Sequence, residues 1–212
     1  MQIGRSCYLF RTSSEKFIVD MGLNFDSSSK YPCINLAEVG LLKQVSAVIV
    51  THHHSDHVSA LPFLIRAGYS NPIYMTESCL TTSYHGFRDT FKLLKGNREE
   101  NIDRDDLIKL YSATYCLKFS LNYRLTDIFF CKVIHSNHIV GGCSLEIKYF
   151  GQNFLFTSDF HWRKKESLKP MYINSKTKYD TVILEGTNID KFTENEQKLI
   201  EEESDLLTDI FF

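Results

Sequence analysis

The 212 residues carry 24 Lys and Arg against 26 Asp and Glu, a net charge of −2, and 43% of them are hydrophobic. This is an ordinary globular balance, with enough apolar side chains for the core of one domain or slightly more, and it excludes a uniformly basic nucleic-acid coat protein. Six cysteines show no C-x-x-C spacing, no apolar run reaches membrane-spanning length and Met1–Arg5 lacks a signal pattern; the expectation is a cytoplasmic protein with reduced thiols and no membrane association, or a nuclear one in a eukaryote.

In chain order, Tyr8–Phe10 and Phe17–Val19 are apolar runs flanking a polar stretch, which predicts a hairpin. The second run ends at Asp20, which is either a turn former or a carboxylate that orients a ligand histidine. Leu36–Gln44 reads as a short helix feeding the buried strand Val45–Val50. That strand runs into Thr51-His52-His53-His54-Ser55-Asp56-His57, so four of the eight histidines fall within six positions. A helical pattern, Ala60–Ala67, follows and stops at Gly68. The motif therefore sits on a strand-to-helix loop, where open α/β sheets place ligands. Imidazole nitrogen and carboxylate oxygen suit borderline divalent metals. His52 and His54 can serve one ion, and Asp56 and His57 a second; His53 reads as structural.

Pro72–Thr76 predicts the next strand and Glu77–Leu94 a helix in which His85 is packed or on the surface. Asn97–Asp106 reads as a charged connection, and Leu107–Phe119 has mixed periodicity. Ile128–Ile134, Cys143–Tyr149 and Asn153–Thr157 predict strands, with a turn at Gly151-Gln152 between the last two. His138 stands before Gly141-Gly142, which permit close backbone approach, and is a second ligand segment; His135 is the weaker candidate there. The strand Phe154–Thr157 leads to Asp159, whose carboxylate can bridge two ions. Arg163-Lys164-Lys165 is either a solvated face or a strip for substrate phosphates. Thr181–Leu184 predicts one more buried strand, ending at Glu185. Thr193–Glu196 fits a capping box before Leu199, Ile200, Leu206, Leu207 and Ile210 at helical spacing.

Strand-ending Asp20, the His-x-His-x-Asp-His loop, His138 and Asp159 together resemble the metallo-β-lactamase fold. Ile3–Cys7 followed by Val19–Gly22, Asn137–Gly142, Thr157–Phe160 and Asp180–Thr187 resemble segments of its β-CASP nuclease branch, which includes the pre-mRNA 3′-end processing endonuclease and the J-type ribonucleases. The resemblance implies an α/β, αββα sandwich over residues 1–190, with 191–212 like the start of a β-CASP insert. It implies one zinc on His52, His54 and His138, a second on Asp56 and His57, Asp159 bridging both, and Asp20 behind the ligands. Mn is an alternative metal. Asp56, Asp159 and Glu185 would be catalytic, and Arg163, Lys164 and Lys165 would contact the nucleic acid, RNA before DNA. Ser158 and Gly186 depart from the family's Gly and Ser. No His follows His161, so the second metal is expected to lack a ligand and the C-terminal half of the fold to be incomplete. A protein partner or second copy would then cover an open sheet edge and the terminal helix. The alternatives are a hydrolase of small esters or lactams on the same site and a non-catalytic, metal-stabilised binding subunit.

Overall fold

The computed structural model describes residues 4–11, 15–24, 26–27, 30–32, 39–94, 102–161, 167–174 and 176–186. Its contacts divide into two compact units, one up to Lys118 with Val140–Gly142, the other of Phe119–Ile139 and Cys143 onward. Both are built on a five-stranded sheet, so the chain is mixed α/β as expected. No helix among the described residues is long and apolar enough to cross a membrane. The Arg163–Lys165 strip, the expected boundary at 190 and the expected terminal helix 191–212 lie outside the described residues.

In the first unit the sheet order is β1-β2-β3-β4-β5, with β1 (Tyr8–Arg11) and β2 (Lys16–Val19) forming the predicted antiparallel hairpin. β3 (Val45–Ile49), β4 (Ile73–Thr76) and β5 (Thr114–Leu117) add in parallel. Parallel neighbours need crossovers. These are supplied by α1 (Val39–Gln44), by α2 (Ser55–Val58) with α3 (Leu61–Arg66), and by α4 (Glu77–Leu94) with α5 (Arg104–Ser112). β3 reads as a near-continuous apolar run because it is central and covered on both faces; Val45, Ala47, Val48 and Ile49 are all buried. Ile18, Val48, Leu61, Leu64, Ile73, Met75, Phe87 and Leu110 pack into one core that joins the sheet to its helices.

The mixed signal at 107–119 is a junction. α5 ends at Ser112, and β5 begins two residues later. The expected charged connection is shorter than predicted, because Asp103 caps α5: its side chain accepts from the Asp106 amide at 2.9 Å, and Asp106 accepts from the Asp103 amide at 3.2 Å.

In the second unit the order is β10-β9-β8-β7-β6. β6 (Asn122–Arg124), β7 (Phe129–His135), β8 (Cys143–Tyr149) and β9 (Gln152–Phe156) are antiparallel neighbours, and β10 (Thr181–Ile183) joins β9 in parallel. Alternation sorts the faces. Phe129, Cys131 and Val133 stand opposite Tyr149, Ile147 and Leu145 in a buried row, while Lys132 pairs with Glu146 on the other face at 2.6 Å. The β8–β9 turn is Phe150-Gly151, one residue earlier than expected. Both residues have positive φ (50° and 77°), as a two-residue turn matched to strand twist requires. β10 is less buried than predicted, since it is the outermost described strand of its sheet and only half-covered.

Candidate metal centre

In the first unit the site grows from the end of β2. Asp20 is fully buried and adopts a left-handed φ of 63°. That turn folds its carboxylate back toward the β3 terminus. It accepts from the Thr51 amide at 2.7 Å, from Thr51 Oγ1 at 2.9 Å, and from His57 Nδ1 at 2.8 Å. A carboxylate can only accept, so Nδ1 of His57 carries the hydrogen and Nε2 keeps its lone pair. Thr51 spends its hydroxyl hydrogen on Asp20 and therefore accepts from Nδ1 of His52 at 3.1 Å, which leaves His52 Nε2 as a lone pair too. His52 Nε2 lies 3.1 Å from His54 Nδ1, so two imidazole nitrogens converge on one point. Asp56 Oδ2 lies 3.7 Å from His57 Nε2. His52–His54 lie on the expected strand-to-helix loop, while Asp56 and His57 already belong to the helical turn α2 that starts after His54.

Backbone contacts fix this arrangement. Met21 donates to the His57 carbonyl at 2.7 Å, Leu23 to Ser55 at 3.0 Å, Ser6 to Asp56 at 2.8 Å, and Gly22 to Ser6 at 3.0 Å. Gly22 is required by this approach, since a Cβ there would stand 1.6 Å from the Asp56 carbonyl oxygen. His53 points elsewhere. It is half-buried, its Nδ1 is buried without a hydrogen-bond partner, and burial followed by the charge of His54 holds its pKa below the ordinary value.

In the second unit His138 Nε2 lies 3.6 Å from Asp159 Oδ2. Asn137, at φ 57°, donates its side-chain amide to the His161 carbonyl at 2.8 Å, and the His161 amide donates to Ser136 at 2.9 Å. These two bonds tie the loop after β7 to the loop after β9. Ser158 has φ 52°, which accounts for the glycine that the family resemblance expects there. The Glu185 amide donates to Thr157 Oγ1 at 3.2 Å, bringing the end of β10 beside the strand that leads to Asp159.

His135 is engaged elsewhere, stacked on Phe119 with ring centroids 3.6 Å apart; burial and then Lys169 push its pKa down. His85 is exposed against Tyr84. In the first unit Gly141, at φ 78°, approaches so closely that a Cβ would meet Ser78 at 2.6 Å, and its carbonyl accepts from Thr76 at 2.7 Å. Sequence reasoning assigned nothing to Ser6, Thr51 or Asn137. Thr51 had a signal: a hydroxyl residue directly before the first motif histidine.

A strand-end carboxylate, preset imidazole lone pairs and the His-x-His-x-Asp-His order agree with a sequence match over residues 2–112, just over half the chain, to the family described as Metallo-beta-lactamase superfamily. The chain belongs to that superfamily. Among curated proteins it is 28% identical over 200 residues to the transcription termination factor FttA of Methanothermobacter thermautotrophicus, covering 88% of this chain and 30% of that protein. It is 28% identical to an RNase J-like protein of Methanocaldococcus jannaschii (88% and 40% covered) and 24% identical to endoribonuclease ysh1 of Schizosaccharomyces pombe (97% and 27%). These relatives agree with the β-CASP branch that the motifs resemble. The chain spans roughly a third of the length of the curated relatives it matches, between 27% and 40%.

Proposed function

We propose that this chain carries the metal-binding part of a zinc-dependent phosphodiester hydrolase acting on RNA. The observation that carries the reading is the chain of hydrogen bonds from Asp20. Through Thr51 and directly, it sets both His52 and His57 in the tautomer that a metal ligand needs. His52 and His54 of the first unit and His138 and Asp159 of the second are assigned to one ion, three imidazoles with a carboxylate being a zinc-like combination. Asp56 and His57 are assigned to a second ion, with Asp159 shared and Mn as an alternative metal. When bound, such ions supply Lewis acidity toward a phosphoryl oxygen and make water a competent nucleophile near neutral pH.

The protein's own part is to orient and to move protons. Asp20 fixes the His57 ring. Asp56 and Asp159 orient the attacking water, and Glu185, together with a partner histidine supplied from elsewhere, would help protonate the leaving oxygen. Arg163, Lys164 and Lys165 are assigned to the nucleic-acid backbone, where cations position the strand without reading its sequence. The names of the relatives, an endoribonuclease and an RNase J-like protein, favour RNA over DNA.

The test is metal content followed by cleavage of single-stranded RNA. Purified protein should hold zinc, and His52→Ala with His54→Ala should abolish tight binding, while His53→Ala should leave it within a few-fold. Metal content unchanged in the double variant would overturn the ligand assignment. Tight metal with hydrolysis of generic esters but not RNA would overturn the substrate class.

A further inference from the structure

The first unit holds an oxygen beside Asp56 and His57 that the ligand assignment leaves unused. We infer that the Ser6 hydroxyl is a third donor to the cation held by Asp56 and His57. This rests on the metal reading above. Ser6 Oγ lies 3.4 Å from His57 Nε2, and Asp56 Oδ2 lies 3.7 Å from the same atom. Donor atoms around a tetrahedral ion with bonds of about 2.0–2.2 Å stand roughly 3.3–3.6 Å apart. Both separations sit at or slightly above that edge length.

A purely structural role for Ser6 fits less well. An O–H···N contact of 3.4 Å is long for a hydrogen bond. The ring needs no second tether, because Asp20 already holds Nδ1 at 2.8 Å. The position of Ser6 is nonetheless well determined. Its amide donates to the Asp56 carbonyl at 2.8 Å and its carbonyl accepts from Gly22 at 3.0 Å, so the donor's backbone is fastened to that of its fellow ligand. The neighbouring thiol, a stronger zinc ligand in principle, is turned away. Cys7 Sγ packs 3.3 Å from Met21 Sδ against the core. Serine is thus the donor that this segment presents to Asp56 and His57.

The test strips the full chain of metal and titrates Zn(II) and Mn(II) separately, reading stoichiometry and affinity by calorimetry and elemental analysis. Thermal melting of each variant reports folding. Wild type should take up a first and a weaker second equivalent, and His57→Ala should lose the second. Ser6→Ala should weaken the second equivalent by roughly tenfold and leave the first unchanged. Ser6→Asp, which places a charged oxygen in the same segment, should tighten the second equivalent. A second equivalent with unaltered affinity in Ser6→Ala would overturn the inference while leaving the metal reading intact. So would a wild type that binds one equivalent only. Loss of both equivalents together with a lowered melting temperature in Ser6→Ala would make Ser6 a backbone staple and nothing more. A wild type that binds no metal would fail the metal reading itself.

Discussion

The two units hold their candidate ligands in different ways. In the first, the ligands hang from a buried carboxylate. Asp20 is fully covered, accepts from Thr51 and His57, and sets the tautomers of His52 and His57 before any ion arrives. In the second, His138 and Asp159 are each about a quarter exposed, at 25% and 28%, and face each other at 3.6 Å. Their loops are placed mainly by backbone conformation, left-handed at Asn137 and Ser158, with one main-chain bond from His161 to Ser136 and one from the Asn137 side chain to the His161 carbonyl. The lesson is that preorganisation by buried polar networks and by backbone conformation should fail differently when disturbed. The network stakes folding stability on each member. The backbone device leaves the ligand side chains replaceable at little cost to the fold.

The largest expected effect follows from that contrast. In metal-free protein, Asp20→Asn replaces an acceptor-only group by one that presents N–H to Thr51 or to the His57 ring, with no water to compensate. Denaturant unfolding should show a loss of roughly 2–3 kcal/mol. Asp159→Asn, at a partly solvated position, should cost under about 1 kcal/mol in the same measurement, although both variants should bind metal poorly. Equal destabilisation by the two substitutions would break the distinction between the units.

A smaller effect is pH-dependent and belongs to the second unit. His135 is the last residue of β7, three positions before His138. Burial first, and then the charge of Lys169, depress its pKa below the ordinary histidine value of about 6.5. The unfolded chain therefore takes up this proton at a higher pH than the folded chain. The contribution is fully present above the unfolded value and is lost as pH falls through that range toward the folded pKa. Unfolding of the metal-free protein at a series of pH values should show a shallower acid-side decline in His135→Gln than in wild type. An identical slope would show that the Phe119–His135 stack is indifferent to charge.

Much of this was legible in the sequence because the signals were strong and local. The β3 run, the motif behind it, the β1–β2 hairpin and the span of α4 all stand where periodicity and turn residues put them. What escaped has physical reasons. β6 is three residues long and mostly exposed, so it carries no alternation to detect. The α5 cap uses Asp at both ends of the box, outside the usual Glu or Gln signature. Ser6 is about fifty positions from His57 and meets it only through tertiary folding, which no local pattern encodes. The left-handed turn at Asp20 was also hidden, because aspartate visits that region without announcing it as glycine would.

The smallest expected effect tests the backbone device at the residue where this chain departs from its family. Ser158 is buried at φ 52°, a conformation that costs a non-glycine residue about 1–2 kcal/mol. Glycine would remove that strain, but it also raises the entropy of the unfolded chain, worth about 0.5–1 kcal/mol against the folded state. The two terms nearly cancel, so Ser158→Gly should stabilise the metal-free protein by only about 0.5 kcal/mol. Ser158→Ala keeps the Cβ and its strain while removing the hydroxyl, and so separates backbone from side chain. Matched denaturant midpoints for wild type and Ser158→Ala, with a slightly higher one for Ser158→Gly, would locate the cost in the left-handed turn. If Ser158→Gly instead unfolded earlier by about 1 kcal/mol, with Ser158→Ala following it, the hydroxyl would be the stabilising group. The loop that carries Asp159 would then be held in part by the Ser158 hydroxyl, and the two units would place their candidate ligands more alike than the contrast above has it.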